Sequence, residues 1–220
     1  MFKLIAQYFA EQYSFLNLFN FITFRVGASI LTSLFFSLIF GQYLINKISK
    51  IQPIGQPIRN DGPKNHIIQK AGTPTMGGVL IILSVIVSLS LWSDLNNSFV
   101  WVGFLTLFIF GFIGFIDDYN KIKSNSSNGL KARTRIVLQL VFALIISIII
   151  INNINEQINT TIAFPFFKNL IINFGYFYFL ISLFIIVGSA NAVNLTDGLD
   201  GLAIVPVMIV AMTFSFIAYV

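Results

Sequence analysis

Apolar residues run through this chain in long blocks, separated by short segments that hold nearly all of its charge. A bilayer core about 30 Å thick takes roughly 20 apolar residues per helix. Six blocks come to that length, at roughly 19–45, 75–93, 98–116, 134–152, 173–190 and 202–220. Lipid offers no partner to an unpaired backbone amide, so each block is predicted to be a helix. The expected fold class is all-α, a polytopic membrane helical bundle, with residues 1–220 as a single integral membrane domain. Met1–Asn17 differs in being mixed. Phe2, Ile5 and Phe9 share one helical face there, which predicts an amphipathic helix lying at the interface. Glu11 and the lack of a small-residue cleavage site argue against a signal peptide.

Composition supports the membrane reading. Only 10% of residues are charged, against roughly 25% in soluble domains, and mean hydropathy is +0.86. There are no cysteines, which excludes disulfides, zinc–thiolate sites and cysteine nucleophiles. The net charge of +5 would suit nucleic acid or lipid headgroups, but its placement favours membrane orientation. Lys47, Lys50, Arg59, Lys64 and Lys70 follow the first block; Lys121, Lys123, Lys131, Arg133 and Arg135 follow the third. Together they are ten of the 13 Lys and Arg residues. The positive-inside rule makes these two loops cytoplasmic. Alternation then puts the N terminus outside and a third loop inside, giving cytoplasmic loops at about 46–74, 117–133 and 189–201. The two outer links read as plain connectors.

Each cytoplasmic loop carries a polar motif. The first holds Arg59–Pro63 and then Lys70-Ala71-Gly72-Thr73-Pro74-Thr75-Met76-Gly77-Gly78. Its bland reading is a turn in which Thr73 or Thr75 caps the next helix and Gly77 and Gly78 admit a neighbouring helix. Its functional reading makes Lys70 an anion contact beside a helix N terminus. His66, the single histidine, reads as an exposed loop residue. The second motif, Ile116-Asp117-Asp118-Tyr119-Asn120-Lys121, ends an apolar helix with two carboxylates at the negative pole of its dipole. They require a cation nearby. Lys121, at helical pairing distance, is one choice; a hard divalent ion with oxygen ligands is the other. The third motif is Asn191-Ala192-Val193-Asn194-Leu195-Thr196-Asp197-Gly198-Leu199-Asp200-Gly201. Asn191, Asn194 and Asp197 recur every three residues, so one helical turn could present them together. Gly198 and Gly201 permit close approach of a ligand. Polar groups at a membrane helix end point to function.

Together, Arg59–Pro63, Gly72–Gly78, Ile116–Tyr119 and Asn191–Ala203 closely resemble the signatures of the phospho-N-acetylmuramoyl-pentapeptide-transferase family, in the family's order and with similar spacing. The resemblance takes in essentially the whole chain, including Pro165-Phe166-Phe167-Lys168. It implies an enzyme of the bacterial inner membrane with its active face in the cytoplasm. Phospho-N-acetylmuramoyl-pentapeptide would pass from its UDP carrier to undecaprenyl phosphate, giving lipid I and UMP for the cell wall, with Mg²⁺ as cofactor. Carried over by position, Asp117 is the candidate base or phosphate-orienting carboxylate, supported by Asp118. Asn191, Asn194 and Asp197 would line the diphosphate and metal region, with Asp117 and Asp197 as metal ligands. Gly198, Leu199 and Asp200 would border the uridine pocket with Lys70 nearby, and Thr75 would shape the site. The implied partners are the UDP-linked donor, the lipid phosphate, the bilayer and, as a candidate, a second copy of the chain; nucleic acid is not among them.

The chain departs from this family in extent. The family has about ten membrane helices, and a later aspartate-bearing segment supplies its main metal ligand. The sequence is therefore expected to be an N-terminal portion, inactive by itself. A related UDP-N-acetylhexosamine polyprenyl-phosphate transferase would share the Asp pair and differ in sugar recognition. A transporter would place its charges near the bilayer midplane beside broken helices. A noncatalytic scaffold would not require three polar motifs on one side.

Overall fold

The computed structural model describes residues 1–52, 55, 72–124, 129–154, 160–164, 167, 169–197 and 201–219. All six apolar blocks are helical: α2 (Ile22–Ile51), α3 (Gly78–Trp92), α4 (Ser98–Ser124), α5 (Ala132–Asn153), α6 (Phe177–Thr196) and α7 (Ile204–Tyr219). A short α1 (Phe2–Phe9) and a 3₁₀ helix (Ser14–Asn20) precede them. Helices α2, α4, α5 and α6 are long and apolar enough to cross a membrane, and α3 and α7 are shorter apolar helices. The chain is a multi-pass membrane protein of the all-α class.

Helix ends depart from the hydropathy edges for physical reasons. Helices α2 and α4 run past their apolar blocks because their last turns carry Lys50, or Lys121 and Lys123, which oppose the negative pole of the dipole. Helix α3 starts later than its block. Met76 sits at φ 71, a left-handed conformation that cannot continue into a right-handed helix from the preceding residues. The cap is Gly77 with no side-chain hydrogen bond, so neither Thr73 nor Thr75 caps the helix.

The chain divides into two compact units, Met1–Arg135 and Ile136–Val220. In the first, α2 and α3 meet along a seam of small and polar groups, as membrane helices do when lipid competes for apolar contact. The Ser88 hydroxyl donates to the Ser29 carbonyl at 2.7 Å, and Trp92 Nε1 donates to Thr32 Oγ1 at 2.8 Å. Ser84 and Ser88 are buried while most large apolar side chains face outward. Close approach occurs at Gly41, where an added Cβ would lie 3.5 Å from Leu80, and at Gly111, 2.5 Å from Ile82. Gly77 and Gly78, expected to admit a neighbour, have nothing among the described residues within 4 Å of that position. They stand at the mouth of α3, ahead of its seam.

Helix α1 closes on the opposite end of α3. The Phe2 ring lies 5.4 Å from Phe19 and 4.7 Å from Trp92. The Met1 ammonium donates to the carbonyls of Ser90 and Leu91, which end the helix and lack intrahelical partners. The amphipathic helix expected over Met1–Asn17 is thus confined to Phe2–Phe9; Ala6 is buried, and Ile5 and Phe9 are exposed. Lys3 pairs with Asp94 in the α3–α4 link. The hydrogen bond from Lys3 holds the Asp94 carboxyl below its ordinary range.

In the second unit α5 and α6 run antiparallel, joined by the hydroxyls of Ser147 and Ser182 at 2.8 Å. The link between them was expected to be a plain connector. It contains a two-stranded antiparallel hairpin, β1 (Thr161–Ala163) and β2 (Ile171–Asn173), with Ile162 opposite Ile172. The β-branched residues in both segments favour that pairing.

Candidate active site

The Asp pair sits in the last turns of α4, where the helix has left its apolar stretch. Asp117 is buried, and the Asp118 side chain is 28% exposed. Lys121 answers both, its Nζ 2.6 Å from Asp117 Oδ2 and 2.9 Å from Asp118 Oδ1. The remaining oxygens are also met. The Leu130 backbone N–H donates to Asp117 Oδ1 at 2.7 Å, and the Thr75 hydroxyl donates to Asp118 Oδ2 at 3.0 Å. Among the described residues each carboxylate oxygen thus has one donor and keeps lone-pair capacity for another.

Thr75 is itself fixed. Its backbone N–H donates to Oε1 of Gln52, a buried side chain just past the end of α2. The left-handed Met76 then turns the chain into α3. Three separate segments therefore converge on the end of α4: the end of α2, the turn before α3, and Gly129–Leu130. A shallow depression of about 380 Å³ opens beside them, lined by Asn120, Lys123, Ser124 and Gly129.

Of the third motif, Asn191 and Asn194 lie on α6, and Asp197 follows as the residue that ends it. Their surroundings differ. The Asn191 amide donates to Gln139 Oε1 on α5 at 2.6 Å and to the Val187 carbonyl at 2.8 Å, whereas Asn194 and Asp197 are exposed. Lys70, Gly198, Leu199 and Asp200 lie outside the described residues, as do Arg59–Pro63 and His66.

A hard divalent cation takes oxygen ligands, and Asp117 and Asp118 supply that chemistry. In this structure Lys121 provides the positive charge between them. No group of three or more His, Cys, Asp or Glu side chains is gathered among the described residues. The donor type fits magnesium, and Asp117 could hold it with ligands from elsewhere while Asp118 supports Asp117. The sequence singled out Asp117, Asp118, Lys121 and Thr75 but missed Gln52, Gly129, Leu130 and Gln139. Gln139 carried a signal of its own, a lone amide within an apolar helix. Gly129–Leu130 carried none beyond a polar turn ending in glycine.

Known proteins share these segments. Residues 70–82 match signature 1 of phospho-N-acetylmuramoyl-pentapeptide-transferase. The chain is 49% identical, over 100% of its length, to the phospho-N-acetylmuramoyl-pentapeptide-transferase of Pelagibacter ubique (strain HTCC1062), of which it covers 60%. It is 46% identical, over 96% of its length, to the transferase of the same name from Maricaulis maris (strain MCS10), covering 59% of that protein. It thus spans about 60% of the length of these curated relatives. The glycosyl transferase family 4 model matches residues 100–220, more than half of the chain, which includes the Asp pair and the whole third motif. The chain belongs to glycosyl transferase family 4.

Proposed function

We propose that this chain supplies the carboxylate pair for the phosphoryl-transfer chemistry for which its relatives are named. Phospho-N-acetylmuramoyl-pentapeptide moves from its UDP carrier to undecaprenyl phosphate at the cytoplasmic face of the bacterial inner membrane. The observation that carries this reading is the contact between Thr75, inside the matched signature, and Asp118. It joins a stretch that carries a signature of these transferases to the carboxylate pair.

An oxygen of the lipid phosphate attacks the phosphorus that bears the sugar, a new diphosphate bond forms, and the old bond to UMP breaks. Attacking and attacked groups are both anionic, so the reaction depends on positioning and charge neutralisation. Mg²⁺, held by Asp117 with Asp197 as a further ligand, would neutralise the diphosphate and polarise its leaving oxygen. Asp117 takes up any proton on the lipid phosphate or orients that phosphate. Asp118, fixed by Thr75, supports it. Asn191, Asn194 and Asp197 contact the diphosphate; Lys70, Gly198, Leu199 and Asp200 border the uridine. The acceptor is dissolved in the bilayer and the donor in cytosol, so the helix ends at the inner face are where they meet. A second copy of the chain is a candidate partner.

The test uses membranes carrying the chain alone and the chain joined in frame to the remainder of the Pelagibacter ubique relative. Each receives labelled UDP-N-acetylmuramoyl-pentapeptide or UDP-N-acetylglucosamine, with undecaprenyl phosphate and Mg²⁺. Lipid I from the muramoyl donor in the joined protein supports the reading. Product from the N-acetylglucosamine donor alone would assign the hexosamine branch instead.

A further inference from the structure

We propose that Gly129 is a positioning residue for Asp117, required because the space its side chain would fill is occupied by the Asp117 carboxylate. A Cβ at Gly129 would lie 2.6 Å from Asp117 Cγ and 2.7 Å from Oδ2, and closer still to Oδ1. Real Cβ contacts are not this short. The glycine is not there for its backbone: the left-handed glycines of the described residues are Gly55, Gly72, Gly175 and Gly201, and Gly129 is not one of them. An alanine there meets no φ penalty, only the carboxylate.

Asp117 cannot yield cheaply. Its Oδ1 accepts from the Leu130 N–H and its Oδ2 from Lys121, so rotating away gives up a backbone donor and an ion pair together. Burial makes that loss larger, because little water reaches the group to replace either partner. Gly129 and Leu130 act as one device. The glycine lets the backbone pass against the carboxylate, and the next amide then aims its hydrogen at the same oxygen that the glycine approaches most closely. The carboxylate is thereby fixed by a turn 13 residues further along the chain. The consequence for turnover rests on the proposed role of Asp117; the contact itself does not.

The experiment is a double-mutant cycle on the full chain in detergent, read by thermal unfolding and by the side-chain carbon signal of ¹³C-labelled Asp117. That signal is identified by its disappearance in Asp117→Ala. Gly129→Ala should lower the unfolding midpoint by several degrees and move the Asp117 resonance while leaving that of Asp94 in place. In the Asp117→Ala background the same substitution should cost nothing, because the obstructing group is gone. In Asp117→Asn, which keeps the size and loses the charge, the cost should persist. Equal cost in all three backgrounds, or an unmoved Asp117 signal, overturns the proposal. In the joined enzyme Gly129→Ala should lower kcat with little change in KM for the nucleotide donor. Coupling without a fall in kcat would uphold the contact and overturn the working role of Asp117.

Discussion

Asp117 and Asp118 stand where electrostatics is least welcoming, next to one another at the negative end of a helix. The chain answers with Lys121, the Leu130 amide and the Thr75 hydroxyl. Part of this was legible in advance, because a lysine three and four residues after two aspartates reaches both. The Thr75 and Leu130 contacts were not, since they cross 43 and 13 residues of chain and leave no periodic trace. Thr75→Val keeps the shape and removes the donor. Turnover should drop about tenfold, from ~1.5 kcal/mol for a hydrogen bond to a charged acceptor, and Thr75→Ser should restore it. Equal activity in Val and Ser variants would detach Thr75 from the chemistry.

The helices themselves were legible because hydropathy over twenty residues is a strong signal. Their ends were not, because charged last turns extend α2 and α4, and Met76 delays α3. The hairpin Thr161–Asn173 was hidden by its shortness. Pairing of α5 with α6 rests on Gln139–Asn191 and Ser147–Ser182, so these amides hold helices together as well as marking a motif. A cycle of Gln139→Leu with Asn191→Leu should show coupling of about 0.6 kcal/mol, up to ~1.7. Strict additivity would mean that the hydrogen bond contributes nothing.

Helix α1 offers a pH-dependent contact. Asp94 has its pKa lowered in the folded chain by Lys3, so the pair stabilises fully above the unfolded carboxyl range. That contribution disappears as pH falls through the lower folded value. Acidification below about pH 4 should depress the unfolding midpoint, and Lys3→Met should remove part of that dependence. An identical acid profile in Lys3→Met would show that the pair adds no stability.

At the scale of the molecule, the first unit separates its ends clearly. Lys3 and Asp94 share one, and Thr75, the Asp pair and Leu130 share the other. Absence of cysteine allows single cysteines to report sidedness directly. An impermeant thiol reagent applied outside intact cells should label Asn96→Cys and leave Ser124→Cys unlabelled. The reverse pattern would invert the orientation drawn from the basic loops. What sequence reading conveyed here was the charge asymmetry; what it could not convey was which segments fold back onto the end of α4.

The proposed function places the transfer on the carboxylates at this end. The most direct measurement is lipid I formation from labelled UDP-N-acetylmuramoyl-pentapeptide by the joined protein, with and without Asp117→Asn. Product should depend on Mg²⁺ and fall by about 10²-fold or more in the variant, the scale of a lost acid–base group. Undiminished lipid I formation by Asp117→Asn would contradict it.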